Sequence, residues 1–580
     1  MSFDHLVVIE TQKVKSYVFG TPKLREMRGA SLLLDSLNLV AVRDQADALE
    51  KAGQCKVVYI GGGSGRIRFA DLGEAKQFCR DVRALYRDRT AIAKVAAEVV
   101  TRVDDEPLLD LLRRGVRETQ KQKLSALGVE DLLGGRWIRP CTSCGQWPAE
   151  KEMNDVQGHH RLCRSCLLKR NAIALQYATD KGHGQEYLVL QRGEGRPTAR
   201  PNEQSHAFPE NILPRFLGKI GEAPDGLPVC LPQDIGQIAD RSHPANYVGL
   251  IYADGNAMGE AIKKLVVAGT TDTDAAKAYR AFSNIVDEAT KRSAVDAVLR
   301  QIHPVEVKLK KRGRGRFYPV EFVMAGGDDL ILLVPGHTAL EIAADFLDGY
   351  QSLTRDLQNG AVHAGELTSP FAPSGLTSSA GVVIAHGTFP ASQLVEIAGV
   401  LMKLAKRRAA KLPGDCPPIG TLDFMVLHSP GLDDVKHWRE EYEFDNGDTR
   451  MTRRPYTTEE LRGLLDRIRC LKNADLPRAK LKALYPALFE GRLQAQYEAL
   501  RIRERLTSTL RHREHREVAA FREWLEGEHF PFRRGPDGKL ATDLSELVEI
   551  YDFVQPQLQG GGATATEAGT ATATPQGVAE

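Results

Sequence analysis

Short apolar runs alternate with longer amphipathic segments along this chain. The run HLVVIE at 5–10 has the length and composition of a buried strand, and a helical pattern follows at 29–53. At 55–69 an apolar run, a glycine turn and a run with alternating polarity predict a β-hairpin. The first part of the chain is therefore predicted to contain a β-α-β-β unit.

The same order of patterns occurs again further along the chain. An apolar run at 246–254 precedes a helical pattern at 272–302, and strand, glycine turn and strand recur at 320–335. A further strand at 378–385 and an amphipathic helix at 390–412, opened by proline and closed by basic residues, continue this second copy. The repetition predicts an internal duplication, with coincidence as the alternative for a repeat this divergent.

The last part of the chain has a different pattern. Helical spacing without strand signals at 457–471 and 493–527 predicts an all-helical domain. From about Gln559 onward the chain consists of small and polar residues with almost nothing apolar to bury, which predicts a disordered tail.

Composition limits the class of protein more than it identifies a partner. The 580 residues are 42% hydrophobic and 27% charged, with a formal net charge of +2, so only local basic patches can indicate nucleic acid. No apolar run approaches the length of a membrane helix, and the N-terminus lacks the features of a signal peptide. We expect a cytoplasmic protein of several domains without membrane contact.

Four of the nine cysteines form two CxxC pairs separated by eighteen residues. Zinc prefers four thiolates in a tetrahedron, and each CxxC supplies two. Cys141, Cys144, Cys163 and Cys166 therefore predict a structural Zn²⁺ site, in which His159 or His160 could replace one ligand. The alternative is a pair of redox motifs or chance spacing. The other cysteines are scattered, which suits a reducing compartment better than disulfides.

The stretch FVMAGGDDLILLVPG at 322–336 places two adjacent carboxylates in a hairpin. Gly326 and Gly327 provide the backbone freedom for the turn and room for a ligand. Asp328 and Asp329 repel each other unless a hard cation such as Mg²⁺ lies between them, and Asp254 ends a strand that is expected to lie alongside. A surface turn is the alternative for the hairpin alone.

The equivalent hairpin of the first copy contains no acid. Its sequence is IGGGSGR, and its first strand ends with Glu10 rather than an aspartate. One copy therefore carries the candidate metal–nucleotide site and the other lacks it.

Taken together, these motifs resemble those of a known family. The N-terminal IETQKVKSYVFGTPKLREMRGASLLLDSLN, the four-cysteine insert, ADGNAMG, AGGDD, SSAGVVIA with LAKRR, and a helical C-terminal region are similar to the large signalling subunit of type III CRISPR effector complexes, of the Cmr/Csm large-subunit type. The resemblance covers roughly residues 1–530. It implies two ferredoxin-like palm domains, a zinc ribbon and a C-terminal helical bundle in an α/β (α+β) protein.

The resemblance also implies an activity, the synthesis of cyclic oligoadenylate second messengers from ATP in antiviral defence. Two Mg²⁺ or Mn²⁺ ions per active site would be held by Asp254, Asp328 and Asp329. The nucleotide-binding residues implied are Gly326, Gly327, Gly61, Gly62 and Gly63, with Lys403 or Lys406 reaching the triphosphate. For both lysines a solvated helix end is an equally good interpretation.

Partners follow from the resemblance as well. The chain is expected to act with the subunits of a guide-RNA effector complex and to be activated by target RNA. Basic stretches at 308–317 and 406–411 could contact RNA phosphates, although the first could equally be a hairpin loop. The arginines of the last helical segment would suit a subunit contact or a solvated face: Arg501, Arg503, Arg505, Arg511, Arg513 and Arg516.

Two departures from the family pattern qualify the expectation. No His-Asp dipeptide is present, so metal-dependent DNA cleavage by an N-terminal nuclease domain is not expected. The acidic residue expected two positions after Asp254 is Asn256, whose amide carries no charge and weakens the prediction of a second metal. The alternatives are a stand-alone cyclic-dinucleotide synthase and a catalytically silent RNA-binding scaffold.

The predicted domains are a degenerate first palm-like domain at 1–135, a zinc-ribbon-containing linker domain at 136–240, a second palm domain at 241–435, a helical domain at 436–555 and a disordered tail at 556–580.

Overall fold

The structure is a computed structural model of the chain, and it describes most of its residues. Described are residues 3–104, 106–125, 139–155, 158–172, 177–179, 186–190, 227–265, 271–310, 313–412, 419–428, 435, 437, 439, 445–446, 449–473, 478–510, 531–534 and 538–556. The predicted tail from Gln559 lies outside them, as do Arg511, Arg513 and Arg516. The domain boundaries given above stay predictions.

The first repeat folds into a four-stranded antiparallel sheet in the order β2-β3-β1-β4, the order of a ferredoxin-like palm. Alternate residues of β1 face opposite layers of the core, as strand geometry requires. The predicted helix at 29–53 begins earlier, at Leu24, and contains a π-helical segment, Ser36–Ala41. The elements are β1 His5–Gln12, α1 Val14–Val18, α2 Leu24–Asp35, α3 Val42–Lys51, β2 Cys55–Gly61, β3 Ser64–Phe69, α4 Leu72–Thr90, β4 Lys94–Thr101 and α5 Leu108–Ser125.

The cysteine-containing region forms a small unit against the first palm. Cys141 and Cys144 lie in a turn before a two-stranded ribbon, and Cys163 and Cys166 lie at the start of the short helix that follows the ribbon. The backbone of that helix lies against α2 at Gly29, where a Cβ would approach the Lys169 carbonyl oxygen to 1.7 Å. Only glycine allows so close an approach. The elements are β5 Lys151–Asp155, β6 Gly158–Leu162, α6 Arg164–Asn171, β7 Tyr177–Thr179, β8 Glu186–Leu190 and β9 Val229–Leu231.

The second repeat forms a six-stranded sheet in the order β13-β14-β10-β15-β16-β19, in which the edge strand β19, Tyr456–Thr457, comes from the C-terminal region. A hairpin, β11–β12, is inserted before β13 and joins β7, β8 and β9 in a separate five-stranded sheet. The elements are α7 Ile235–Ala239, β10 Tyr247–Gly255, α8 Met258–Lys264, α9 Asp272–Gln301, β11 Val305–Leu309, β12 Gly313–Phe317, β13 Glu321–Gly326, β14 Asp329–Pro335, α10 Ala339–His363, β15 Ser378–His386, α11 Ala391–Ala409 and β16 Thr421–Leu427.

The two palms share their central topology and one irregularity. In both, the first strand lies between the second strand of the hairpin and the last strand, all antiparallel. Each hairpin also has a register shift at the same place, between Val57 and Tyr59 in one and between Phe322 and Met324 in the other. A shared bulge at an equivalent position supports the predicted duplication.

The C-terminal region is helical in the described parts of the predicted segments, of which 511–527 lies outside the described residues, and it also contains a small sheet that the sequence did not indicate. Four strands of two residues each form it in the order β17-β18-β21-β20. The elements are β17 Asp445–Asn446, β18 Thr449–Arg450, β19 Tyr456–Thr457, α12 Thr458–Asn473, α13 Arg478–Glu490, α14 Arg492–Leu510, β20 Arg533–Arg534, β21 Leu540–Ala541 and α15 Leu544–Ile550. The mixed α/β class is confirmed.

One hydrophobic core spans the two palms. Its buried residues come from the first-palm sheet and its helices and from one face of the second-palm sheet with α11. The other face of that sheet packs on α9 and α10 in a second core. Within the described parts of the chain, none of the helices combines the length and apolar character that a membrane crossing requires.

Candidate active site

The glycine hairpin of the second palm is a two-residue turn. Gly326 pairs with Asp329, so Gly327 and Asp328 form the turn itself, and Gly327 has a positive φ of 60°. From the sequence both aspartates are expected at the tip of the hairpin. The structure has Asp328 in the turn and Asp329 as the first residue of β14, because Asp329 already pairs with Gly326.

Asp254 lies beside the hairpin, as predicted. Its strand β10 is paired with β14 up to Ala253 opposite Leu330, which brings the next residue, Asp254, level with Asp329. Asp254 is also close enough to the Asp328 carboxyl group for its charge to raise the pKa of Asp328. The Asp328 side chain lies over Gly255, where a Cβ would approach the Asp328 Cβ to 2.9 Å. The three carboxylates therefore converge at one end of the sheet.

Their convergence alters the acidity of the two hairpin carboxyls. Burial, and then the charges of Asp254 and Asp329, raise the pKa of Asp328 to about 7. Burial and the charge of Asp254 raise the pKa of Asp329 to about 6, although Lys15 and Lys406 oppose that shift. Both carboxyls thus resist ionisation unless positive charge is supplied nearby.

Lysines surround these acids. Lys406 Nζ lies 2.8 Å from an Asp254 oxygen, so the predicted phosphate-binding lysine is within reach of the site. Lys403, one turn earlier on α11, is exposed, and its charge acts on Lys15. Lys15, from the first palm, interacts electrostatically with Asp329 and Asp254. Lys15 was not among the residues predicted from the sequence, because only the packing of the two palms brings it here.

Helix α9 holds the glycine turn from the other side. The Gly327 amide donates to Asp287 Oδ1 at 3.1 Å, and Thr290 Oγ1 donates to the Gly327 carbonyl at 2.7 Å. Lys291 donates to the second Asp287 oxygen at 2.6 Å. Sequence analysis did not identify these residues, since their helical segment carries no motif, although the acid and lysine four residues apart are a helix-pair signal.

The hairpin of the first palm faces the hairpin of the second. Gly62 and Gly63 form its turn with φ of 55° and 78°, and a Cβ on Gly62 would lie 3.3 Å from the Gly327 nitrogen. Glu10 occupies the register position that Asp254 holds in the second palm, but it is paired with Arg66 at 3.1 Å. The first palm therefore contributes glycine backbone without an unpaired acid at this position.

Asn256 and Ser379 lie beside Asp254 at the same end of the sheet. Asn256 is buried, and it donates to Thr377 Oγ1 at 3.1 Å while its oxygen accepts from Ser379 Oγ at 2.8 Å. Ser379 in turn contacts Thr421, which donates to the backbone of α11. In this structure Asn256 connects the strand end to the helix that carries Lys406, so its amide already has structural partners.

The four cysteines lie together. One sulfur atom from each of Cys141, Cys144, Cys163 and Cys166 is within 4.8 Å of the others, the grouping that a tetrahedral metal site requires. Backbone amides of Ser143 and Cys166 donate to sulfur atoms at 3.4 Å, as is common around metal-bound thiolates. His159 and His160 are not members of this cluster.

Comparison with protein families identifies one part of the chain. Residues 247–411 match the family model of the Cas10/Cmr2 second palm domain. The match begins at the first residue of β10 and ends just after α11, so it contains the three carboxylates and both α11 lysines. A comparison with curated proteins gives no match.

Several solved structures are similar to the chain. The Csm1–Csm4 cassette in complex with pppApApA matches at 13% identity and a TM-score of 0.49, over 95% of this chain and 69% of that chain. The same cassette in complex with cA4 matches at 15% identity and 0.42, over 74% and 55%. In complex with cA3 the values are 13%, 0.40, 70% and 53%, so this chain spans about half of that relative.

Proposed function

We propose that this chain, whose residues 247–411 form a second palm domain of the Cas10/Cmr2 family, joins ATP molecules into cyclic oligoadenylates as the large signalling subunit of a type III CRISPR effector complex. One observation carries the proposal. Three carboxylates converge on the glycine turn of that palm, and the acid-free glycine turn of a second palm lies against it.

The donor set fits divalent cations. Mg²⁺ and Mn²⁺ prefer carboxylate oxygens, and Asp254, Asp328 and Asp329 would hold them, two ions being expected for this chemistry. The buried Tyr350 hydroxyl has no hydrogen-bond partner among the described residues. Burial, and then the charges of Asp328 and Asp254, raise the pKa of this hydroxyl. Such an unmet polar group beside the acids suits a ligand-filled site. Bound cations would stabilise charge on the attacking and leaving oxygens.

In the proposed reaction, a ribose hydroxyl of one ATP forms a bond to the α-phosphorus of another. The bond to the β-phosphate breaks, pyrophosphate leaves, and the hydroxyl proton passes to solvent. Gly326 and Gly327 would let the backbone of one palm approach its nucleotide, and Gly61–Gly63 would do the same on the other. Lys406, which lies 2.8 Å from Asp254, and Lys403, one turn earlier on α11, would bind phosphate oxygens.

Activation by target RNA and partner subunits belongs to the same proposal. The basic residues at 308–310 and 313–317 lie on the β11–β12 hairpin, which is a surface that nucleic acid could contact. We expect the reaction to depend on the assembled guide-RNA complex.

The test is a product assay. The chain, alone and assembled with guide-RNA subunits and target RNA, is incubated with each radiolabelled nucleoside triphosphate and Mg²⁺ or Mn²⁺, and products are identified by mass. Cyclic oligoadenylates are expected from ATP in the assembled state, and none with Asp328→Asn and Asp329→Asn. Ser64→Ala, at the equivalent position of the first palm, should retain activity.

The same assay separates the alternatives. A cyclic dinucleotide formed without RNA would identify the stand-alone synthase. Absence of any product from every triphosphate in the assembled complex would overturn the proposal in favour of a scaffold.

We also propose that the four-cysteine cluster binds one structural Zn²⁺. Four thiolates leave no open coordination position, so the role would be to hold the ribbon together.

A further inference from the structure

Lys15 belongs to the first palm by sequence but lies at the active site of the second. It is part of α1, directly after β1. Its ammonium group nevertheless lies 3.9 Å from the ring centroid of Tyr252, which is on β10, two residues before Asp254. Residues two apart on a strand face the same side, so Lys15 covers the face on which Asp254 lies.

The position of Lys15 is fixed by its surroundings. The neighbouring Tyr17 and Val18 are buried, and the Tyr17 carbonyl accepts a hydrogen bond from Lys169 Nζ at 2.5 Å. Lys169 belongs to the cysteine-bearing unit, in which it follows Cys166 by three residues. The short helix α1 is therefore anchored between the first-palm core and the cysteine unit. A side chain on an anchored backbone loses less conformational entropy on binding a ligand.

The charges around Lys15 nearly balance. It faces Asp329 and Asp254, which favour its charged form, and Lys403 and Lys406, which disfavour it. With Asp328, three carboxylates therefore meet three ammonium groups. Divalent cations bound to the carboxylates would leave the lysines with excess positive charge, which a polyanion would balance.

We propose that Lys15 binds the β- and γ-phosphates of the nucleotide held at the Asp254–Asp328–Asp329 site, so that the first palm supplies a binding residue to the active site of the second. The inference rests on the proposed function. The Tyr252 ring supports the ammonium group from one side and directs it toward the face that carries the acids. The phosphates it contacts are those that leave as pyrophosphate.

The experiment compares Lys15→Gln with Lys13→Gln in the full-length chain. Lys13 is exposed, lies two residues earlier in the same segment and is a matched control. The dissociation constants of AMP and of an ATP analogue with a methylene between its α- and β-phosphates are measured in Mg²⁺ by calorimetry. Lys15→Arg tests whether a different cationic side chain at this position restores binding.

We expect Lys15→Gln to weaken binding of the triphosphate analogue about tenfold and to leave AMP binding unchanged, because AMP lacks the contacted phosphates. Lys15→Arg should recover most of the loss, and Lys13→Gln should match the parent. Unchanged affinity for the analogue, or equal weakening of both ligands, would overturn the inference. So would failure of the parent to bind the analogue.

The product assay is read separately. A parent chain that binds the analogue but forms no oligoadenylate in the assembled complex would overturn the proposed function, while a selective effect of Lys15→Gln would still support the phosphate contact.

Discussion

Asp328 and Asp329 are partly buried close to another carboxylate, which makes their ionised forms unfavourable for folding and also makes them suitable ligands for cations. Their pKa values in the folded chain, about 7 and about 6, lie above those of free aspartates. A group with a raised folded-state pKa stabilises the fold at low pH and loses that contribution as pH rises through the folded pKa. In the absence of metal, the two acids should therefore cost stability progressively from about pH 4 to pH 7.

Replacing both acids by alanine should reverse this cost. In chelator we expect Asp328→Ala with Asp329→Ala to be more stable than the parent by about 1–2 kcal/mol at pH 8, allowing for solvent screening, with a smaller gain at pH 5. The measurement is urea unfolding at both pH values. The variant should also lose the stabilisation that Mg²⁺ and ATP give the parent.

Ser64→Ala, at the matching position of the first palm, should change neither quantity. A large loss of stability of the double variant in chelator would show that the aspartates are structural, and the proposed catalytic role would be contradicted.

Sequence analysis could identify the acids because strand, glycine turn and carboxylates are adjacent in the chain. It could not identify Lys15 or Asp287, since each reaches the site from a distant segment through tertiary packing. Nor could the residue count of the turn be predicted, because GGDD fits turns that begin at either glycine. The acids of the hairpin could thus be predicted from the sequence, whereas the residues that other elements bring to the site could not.

Helix α9 controls the hairpin through both hydrogen-bonding groups of one residue. The amide and carbonyl of Gly327 are bound by Asp287 and Thr290, which are three residues apart and therefore on one face of the helix. This arrangement fixes the turn that presents Asp328. Positioning of a catalytic group to within a fraction of an ångström has large effects on rate.

Removing the acceptor on α9 should therefore affect both chemistry and stability. We expect Asp287→Ala to lower the rate of ATP condensation at least tenfold and to cost about 3–5 kcal/mol of stability, because it also leaves the buried Lys291 ammonium group without its partner. Asp287→Asn keeps an oxygen that can accept from Gly327 and should retain most activity.

The control on the same helix is Lys277→Ala, which changes an exposed residue. Single-turnover rates and urea unfolding are the measurements. Equal activity of Asp287→Ala and the parent would show that the turn keeps its conformation without the helix.

The cysteine unit provides a prediction that does not depend on activity. Purified protein should contain about one zinc per chain, and Cys141→Ser with Cys144→Ser should lose it and become protease-sensitive around residues 135–170. Elemental analysis and limited proteolysis measure this. The control is Cys79→Ser, which changes a cysteine in the first-palm core and should leave the zinc content of the protein unchanged. Metal-free protein that resists protease as well as the parent would contradict a structural zinc.

The short strands of the C-terminal region could not be predicted from the pattern of hydrophobic and polar residues. Strands of two residues, such as Thr449–Arg450, are too short for an alternating pattern, and their pairing with β21 joins residues far apart in sequence. The helices of the same region were predictable because α12 repeats apolar residues over four turns.

The orientation of the two palms depends on charged contacts that cross between them. Arg280 on α9 donates to the Val58 carbonyl, within the bulge of β2, at 3.2 Å. Arg28 on α2 forms a bidentate pair with Glu321, the first residue of β13, and donates to the Pro232 carbonyl at 2.7 Å. Both contacts end on the glycine hairpins or the strands that lead to them, so the packing of the palms sets how the two turns face each other.

The Arg28–Glu321 pair is the more demanding of these contacts, because both side chains are almost fully buried. Burial raises the pKa of Glu321 and the Arg28 charge opposes that rise. Leaving one buried charge without its partner is far more costly than replacing both by apolar groups. We expect Arg28→Met to lose about 3–5 kcal/mol of stability, and Glu321→Leu a comparable amount.

The double variant, Arg28→Met with Glu321→Leu, should lose much less than the sum of the two single changes, since no unpaired charge remains. Urea unfolding of the four proteins gives the coupling energy directly. The double variant should be well folded. It should condense ATP more slowly than the parent, because the apolar pair lacks the directional bonds that align α2 with β13. Additive losses would show that the two residues act independently, and full activity in the double variant would show that the palms align without them.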